Sequence, residues 1–259
     1  MREEGTGRWT RRQALQQAVG WSALALTPGL QAEAEEGQAK APPFDPTAQY
    51  QEKKVEGWRL LVNTTLIKEQ PALYAEVMTL MGHQLYQIPR VIPEAALESL
   101  RKITLWVELN EPHHPCMVYH PDPGWLRDHG MNPEKAGCVE MSNSRNFLSW
   151  TLQQPWMTLH ELTHSYHDKV LGFENKEVNA AYEAAVASKA YEAVLRISGQ
   201  TEKHYALTNS REYFAELTES YFGTNDFYPF VRPELKQHDP GGYAMIQKAW
   251  GVDKPGKKA

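Results

Sequence analysis

The chain contains little cysteine: Cys116 and Cys138 are the only two in 259 residues. Two cysteines cannot hold a chain of this length together, so a conventional hydrophobic core must do so. They form one disulfide bond or remain two buried thiols. The chain also has no excess of positive charge, because 27 Lys and Arg residues face 32 Asp and Glu residues. Phosphate binding requires a basic surface, so we expect no nucleic acid among the partners.

Long hydrophobic runs are missing as well. Beyond the N-terminal segment, no stretch approaches the roughly 18 apolar residues that span a bilayer, so no stable membrane insertion is expected. Hydrophobic residues nevertheless make up 41% of the chain and charged residues 23%. This composition is typical of a globular protein with one sizeable core.

The first 34 residues have the features of a signal peptide. Four arginines among the first twelve residues precede an uncharged stretch, and Ala32-Glu33-Ala34 has the small-x-small form of a cleavage site. The Arg11-Arg12 pair resembles a twin-arginine signal, although the usual Phe two residues later is absent. We therefore expect a protein exported to the periplasm or the extracellular space, where a disulfide bond is chemically permitted.

The remaining chain divides into a flexible tether over residues 35–50, a folded domain over 51–252 and a frayed tail over 253–259. Strands are predicted around residues 58–62, 103–108, 117–119 and 137–141. Helices are predicted to begin at Pro71, Pro93 and Pro240 and to cover residues 155–169, 179–197 and 210–222. A small mixed sheet followed by a helical half is the α+β layout of many zinc proteases.

An H-E-x-x-H motif runs from His160 to His164. On a helix, these two histidines share one face, and their imidazoles can converge on one zinc ion at about 2.0–2.1 Å. Glu161 is rotated by about 100° from His160, which places it beside the open coordination position as a general base. The alternative is a core helix with two incidental histidines.

The motif supplies two metal ligands, and a catalytic zinc site needs a third. The metzincin pattern fails, because His167 and Val170 replace its Gly and its final His; we expect His167 to be a partly solvated helix residue. Glu183 is one candidate, since it follows His164 by nineteen residues, as in thermolysin-like and aminopeptidase enzymes. However, Tyr182 stands where those families have Asn.

Glu212 is the second candidate. Glu216 lies four residues later on the same helical face, so one carboxylate could bind the metal while the other accepts a hydrogen bond from a ligand histidine. Tyr205 precedes this helix and could donate its hydroxyl to a developing oxyanion. The competing interpretation is that Asn209 caps the helix, Glu212 closes a capping box and Glu216 is a surface charge.

The segment over residues 150–225 resembles the catalytic domain of anthrax toxin lethal factor and its relatives, which are gluzincin-type zinc endopeptidases. The matching positions are Tyr205, Thr208-Asn209, Glu212 and Phe214-Ala215-Glu216, and the 48-residue gap between His164 and Glu212 is also similar. The resemblance implies a zincin-like fold with the following assignments: His160, His164 and Glu212 as Zn²⁺ ligands, Glu161 as general base, Tyr205 as oxyanion donor and Glu216 behind the ligands.

The expected function is therefore that of an exported zinc metallopeptidase, an endopeptidase that acts on a peptide or protein substrate. The alternatives are a Glu183-liganded aminopeptidase or thermolysin-like enzyme and a non-catalytic zinc-binding protein. Residues 137–143 are the candidate edge strand for an extended substrate, or else an ordinary buried strand. His113 and His114 are expected in an exposed turn, and His204 could line the site.

Overall fold

The sheet half of the fold contains five strands. The computed structural model describes residues 43–253, and its main sheet has the strand order β1-β2-β3-β5-β4. The outer strands β1 and β4 are antiparallel to their neighbours, whereas β2, β3 and β5 are parallel. The predicted mixed sheet of an α+β fold is confirmed. The strands are β1 (Tyr50–Val55), β2 (Trp58–Asn63), β3 (Leu105–Val107), β4 (Met117–Tyr119) and β5 (Val139–Met141).

The described residues also form ten α-helices, five in each half of the fold. Those of the sheet half are α1 (Thr64–Glu69), α2 (Pro71–Gln87), α3 (Glu94–Leu100), α4 (Pro123–Asp128) and α5 (Ser144–Trp150). Those of the helical half are α6 (Met157–Tyr166), α7 (Lys176–Ser188), α8 (Ser210–Phe222), α9 (Arg232–His238) and α10 (Pro240–Ala249), with a small two-stranded sheet formed by β6 (Val194–Leu195) and β7 (Thr201–Glu202).

The helix α8 lies at the centre of the helical half. Its residues from Glu212 to Phe222 are all buried, and it packs against α6. Asn209 begins it by accepting hydrogen bonds from the backbone N–H groups of Arg211 and Glu212, which are otherwise unsatisfied at a helix start. Across residues 43–253, no helix combines the length and apolar character needed to cross a bilayer.

Two helix ends differ from the positions predicted from the sequence. The motif helix α6 begins at Met157 rather than at residue 155, and after Tyr166 it continues as a π-helical turn, His167–Leu171. The helix predicted over 179–197 is α7, which ends at Ser188. Lys189 adopts a left-handed conformation with φ of 58°, which terminates the helix before β6.

The position of β5 corrects the expected substrate edge. Residues 137–143 contain β5, which lies between β3 and β4 and is therefore an interior strand. The edge strand on this side of the sheet is β4, and β1 forms the opposite edge. Any peptide that adds to this side of the sheet must therefore pair with β4.

The end of the predicted tether is attached to the domain. The Asp45 carboxylate accepts a 2.8 Å hydrogen bond from Asn63, Thr47 donates one of 2.7 Å to Glu134, and β1 begins at Tyr50. The unpacked segment expected up to residue 50 is thus corrected for residues 43–50. The signal peptide, the rest of the tether and residues 254–259 lie outside the described residues.

The two cysteines do not form a disulfide bond. They lie at opposite ends of the β4–β5 ladder, because the Cys116 carbonyl accepts from Ser142 N–H and the Cys138 carbonyl accepts from His120 N–H. Cys116 instead contacts the Met157 sulfur at 3.3 Å. Of the two alternatives drawn from the sequence, the structure has separate thiols.

Candidate metal centre

Three side-chain atoms converge at the contact between α6 and α8. His160 Nε2 lies 3.0 Å from His164 Nε2 and 3.1 Å from Glu212 Oε2. His164 Nε2 lies 3.5 Å from the same Glu212 oxygen. Ligand atoms on a tetrahedral zinc ion with bonds of about 2.0–2.1 Å are about 3.3 Å apart. The three predicted ligands are therefore brought together, at separations that are compatible with a zinc ion.

Local structure explains why Glu212 points at the histidines. Asn209 already satisfies the backbone N–H groups of Arg211 and Glu212, at 2.9 and 3.0 Å. The Glu212 side chain does not turn back to accept from the backbone N–H of Asn209, as a capping box would require. It extends from the first turn of α8 toward α6, where His160 and His164 lie one helical turn apart with their rings 4.7 Å apart. Of the competing interpretation, the Asn209 cap is confirmed and the Glu212 capping box is absent.

The electrostatics of Glu212 suit a metal ligand. Burial alone would raise the pKa of this carboxyl group, but the neighbouring His164 and His160 rings outweigh burial and hold the pKa well below its ordinary value. Glu212 is therefore ionised at neutral pH. An ionised carboxylate is the form that binds a divalent cation.

Glu161 and Tyr205 lie beside the three ligand atoms. Glu161 is buried, and its Oε2 accepts a 3.0 Å hydrogen bond from the backbone N–H of Tyr119 on β4. An oxygen of Glu161 also lies within 4.8 Å of ring nitrogens of both motif histidines. Tyr205 begins a short 3₁₀ turn before α8 and lines the same cavity, of about 210 Å³, as His160, Glu161, His164 and Glu212.

His160 is oriented by Glu219, a residue that was not predicted from the sequence. Glu219 Oε1 lies 2.6 Å from His160 Nδ1, whereas Glu216 Oε1 lies 3.6 Å away. Glu216 is behind His160, as expected, but its Oε2 accepts a 2.8 Å hydrogen bond from Asn225. Glu219 is seven residues after Glu212, two helical turns along the same face of α8. The seven-residue spacing from Glu212 is the sequence signal by which Glu219 could have been found.

The structure separates several other candidates from the centre. Glu183 lies on an exposed face of α7 and is not among the described residues that line the cavity. His204 is buried, and its Nδ1 accepts from the N–H of Ala206, so it caps the turn that carries Tyr205. The Glu183-liganded alternative therefore has no support in the geometry.

Two histidines are more buried than expected. His167 is fully buried between Phe173 and Phe214, and burial lowers its pKa to about 4. His114 is also buried, and burial, with the neighbouring His120, lowers its pKa to about 3. The predictions of a partly solvated His167 and an exposed His114 were wrong, because packing by distant aromatic residues is not visible in the local sequence.

Comparisons of the chain with protein-family models, with curated proteins and with solved structures found no match. The function is therefore inferred from the geometry of the centre and from the chemistry of its side chains.

Proposed function

We propose that this chain is an exported zinc-dependent peptidase with a zincin-like catalytic domain. The observation that carries the proposal is the convergence of His160, His164 and Glu212 at ligand distances beside Glu161. Two neutral imidazoles and one carboxylate form a typical catalytic zinc set, which leaves one coordination position open. A structural zinc site would instead be closed by a fourth protein ligand.

The residues around this centre have the groups that peptide hydrolysis requires. A zinc ion held by the three ligands supplies a Lewis acid that makes water more acidic and polarises a carbonyl group. Glu161 takes a proton from the attacking water and passes it to the leaving amine. The hydrogen bond from Tyr119 N–H holds the Glu161 carboxylate in position. Tyr205 donates its hydroxyl to the oxygen that becomes negative.

The substrate class follows from the neighbouring strand. Val118 and Tyr119 of β4 line the cavity, and β4 is one of the two edge strands of the sheet. An extended peptide can pair with an edge strand through its backbone at any point along its length. This arrangement favours an endopeptidase acting on a peptide or protein.

The decisive experiment is cleavage of a peptide library by the zinc-loaded protein. We expect cleavage that a chelator abolishes and that added zinc restores. The variant Glu161→Gln should bind zinc but cleave nothing, whereas the matched exposed variant Glu183→Gln should cleave like the wild type. Cleavage by Glu161→Gln at the wild-type rate would show that this assignment is wrong.

A zinc-binding protein without catalytic activity is the second candidate. The observation that favours it is the hydrogen bond between Glu161 and Tyr119, since this contact ties α6 to β4 and gives Glu161 a structural use. The same library separates the two candidates. Stoichiometric zinc with no cleavage of any peptide would support the second candidate.

A further inference from the structure

His120 lines the cavity of the metal centre but belongs to neither the motif nor the proposed ligand set. It directly follows the edge strand β4, and its backbone is fixed at both polar atoms: its N–H donates to the Cys138 carbonyl at 3.0 Å, and its carbonyl accepts from Gly137 N–H at 2.6 Å. The ring is fixed as well, because its Nε2 lies 2.6 Å from Glu140 Oε2. An imidazole held in this way has little freedom to reorient.

The partner of His120 belongs to a buried group of charges. Glu140, on β5, is fully buried, and Lys135 donates 2.8 Å hydrogen bonds both to it and to Glu108. Burial alone would raise the pKa of Glu140, but the hydrogen bond with His120 and the charge of Lys135 lower it to about 2. Buried ion pairs are often no more stabilising than apolar residues of similar volume. The group therefore need not add stability, and its contact with His120 fixes the orientation of that ring.

The protonation pattern determines what His120 can offer to a ligand. An ionised carboxylate only accepts hydrogen bonds, so the Glu140 contact requires a proton on Nε2. In the neutral ring, Nδ1 then has a free lone pair. This atom makes no hydrogen bond to any of the residues in the described range 43–253. Nδ1 is thus the ring atom of His120 that can still accept a hydrogen bond, on a residue that lines the cavity.

We propose that His120 is a substrate-contacting residue, oriented by Glu140, that accepts a hydrogen bond from a peptide N–H of the substrate. This inference rests on the proposed function, since it requires a peptide in the cavity. It is favoured by the location of His120 in the cavity of the metal centre, directly after the edge strand β4, along which an extended peptide can lie. Glu140 is in turn a positioning residue.

A pair of variants separates substrate contact from a purely structural role. The amide of Gln in His120→Gln takes the place of Nε2 and keeps the Glu140 contact, but no atom replaces Nδ1. The amide of Asn in His120→Asn takes the place of Nδ1 and loses Glu140. We expect kcat/KM to fall about tenfold in His120→Gln, the cost of roughly one hydrogen bond, with unchanged zinc content and unfolding midpoint.

His120→Asn should retain more catalytic efficiency than His120→Gln but should be less stable, because Glu140 loses a partner. The exposed variant His83→Gln is the matched control and should behave like the wild type. A wild-type kcat/KM in His120→Gln, together with a loss confined to His120→Asn, would overturn the inference and assign His120 a structural role.

A binding measurement distinguishes failure of this inference from failure of the proposed function. The library peptides are titrated into zinc-loaded Glu161→Gln, with and without His120→Gln, and binding is followed by calorimetry. If the wild type cleaves nothing but His120→Gln weakens peptide binding about tenfold, the contact stands and the peptidase assignment fails. If peptides are cleaved and His120→Gln changes neither cleavage nor binding, only the contact is refuted. If no peptide is bound or cleaved, both are refuted.

Discussion

His160 Nδ1 and Glu219 Oε1 lie 2.6 Å apart in the interior of the helical half, where both side chains are buried. His160 therefore connects two carboxylates of the same helix: its Nε2 faces Glu212 and its Nδ1 faces Glu219. The contact with Glu219 fixes the tautomer and the ring plane, so that Nε2 is available to a metal ion. Three buried glutamates of α8 are thus arranged around one imidazole, with Glu216 the more distant from Nδ1.

The first prediction concerns this orienting contact. Glu219→Gln should lower zinc affinity about 10–100-fold, the usual cost of losing a carboxylate behind a ligand histidine. Glu216→Gln should have a smaller effect, because Glu216 is 3.6 Å from Nδ1. Competition with a chromogenic chelator measures both affinities. Equal losses in the two variants would contradict the assignment of Glu219 as the orienting group.

The second prediction concerns the third metal ligand. Glu212→Gln should lose zinc during dialysis, because the neutral amide replaces the ionised carboxylate of the ligand triangle. Glu183→Gln should retain zinc, since Glu183 is exposed on α7. Elemental analysis of the dialysed proteins provides the measurement. Zinc retained by Glu212→Gln and lost from Glu183→Gln would reverse the ligand assignment.

These residues also show how much of the candidate site can be predicted from the sequence. His160, Glu161 and His164 are related by helical spacing alone, so a local pattern was sufficient to place them on one helix. The bounds of α8 were predicted correctly, and Asn209 is a local signal of its start. Glu212 lies 48 residues from His164, and helical spacing cannot bring such distant residues together. The helical face shared with Glu216 made Glu212 a candidate beside Glu183, and the family resemblance favoured Glu212 as the partner of the histidines.

What the sequence could not provide depends on long-range packing. The insertion of β5 between β3 and β4 is a property of the sheet order, which the order of strands in the chain does not show. Glu219 was missed because Glu216, four residues after Glu212, was the simpler choice. The burial of His114 and His167 likewise depends on residues distant in sequence, such as Trp125 and Phe214.

The third prediction tests the oxyanion donor. Tyr205→Phe should lower kcat about 10²–10³-fold, the typical cost of removing one such donor, because only the hydroxyl is lost. The ring should still pack in the cluster with Val194 and Phe227, so the unfolding midpoint and zinc content should remain those of the wild type. Steady-state kinetics on a cleaved library peptide measures the effect. An unchanged kcat would show that Tyr205 lines the cavity without donating a hydrogen bond to the oxyanion.

The fourth prediction concerns the stability of the fold at mildly acidic pH. His167 packs between Phe173 and Phe214, at ring-centroid distances of 5.3 and 5.0 Å, and neither of its nitrogens has a hydrogen-bond partner among the described residues. Burial, followed by the charge of His164, lowers its pKa to about 4, whereas an unfolded histidine titrates near 6.5. Between these two values the unfolded chain binds a proton that the folded chain does not.

The contribution of His167 to stability is therefore fully present above about pH 6.5 and is lost as the pH falls toward 4. We expect this residue to account for about 2–3 kcal/mol of the decrease in unfolding free energy over that range. His167→Phe should remove that part of the decrease and should fit among the same aromatic rings. Urea unfolding at pH 7 and pH 4.5, with the exposed variant His83→Gln as control, measures the difference. A decrease in His167→Phe equal to that of the wild type would show that His167 is not the group whose protonation destabilises the fold.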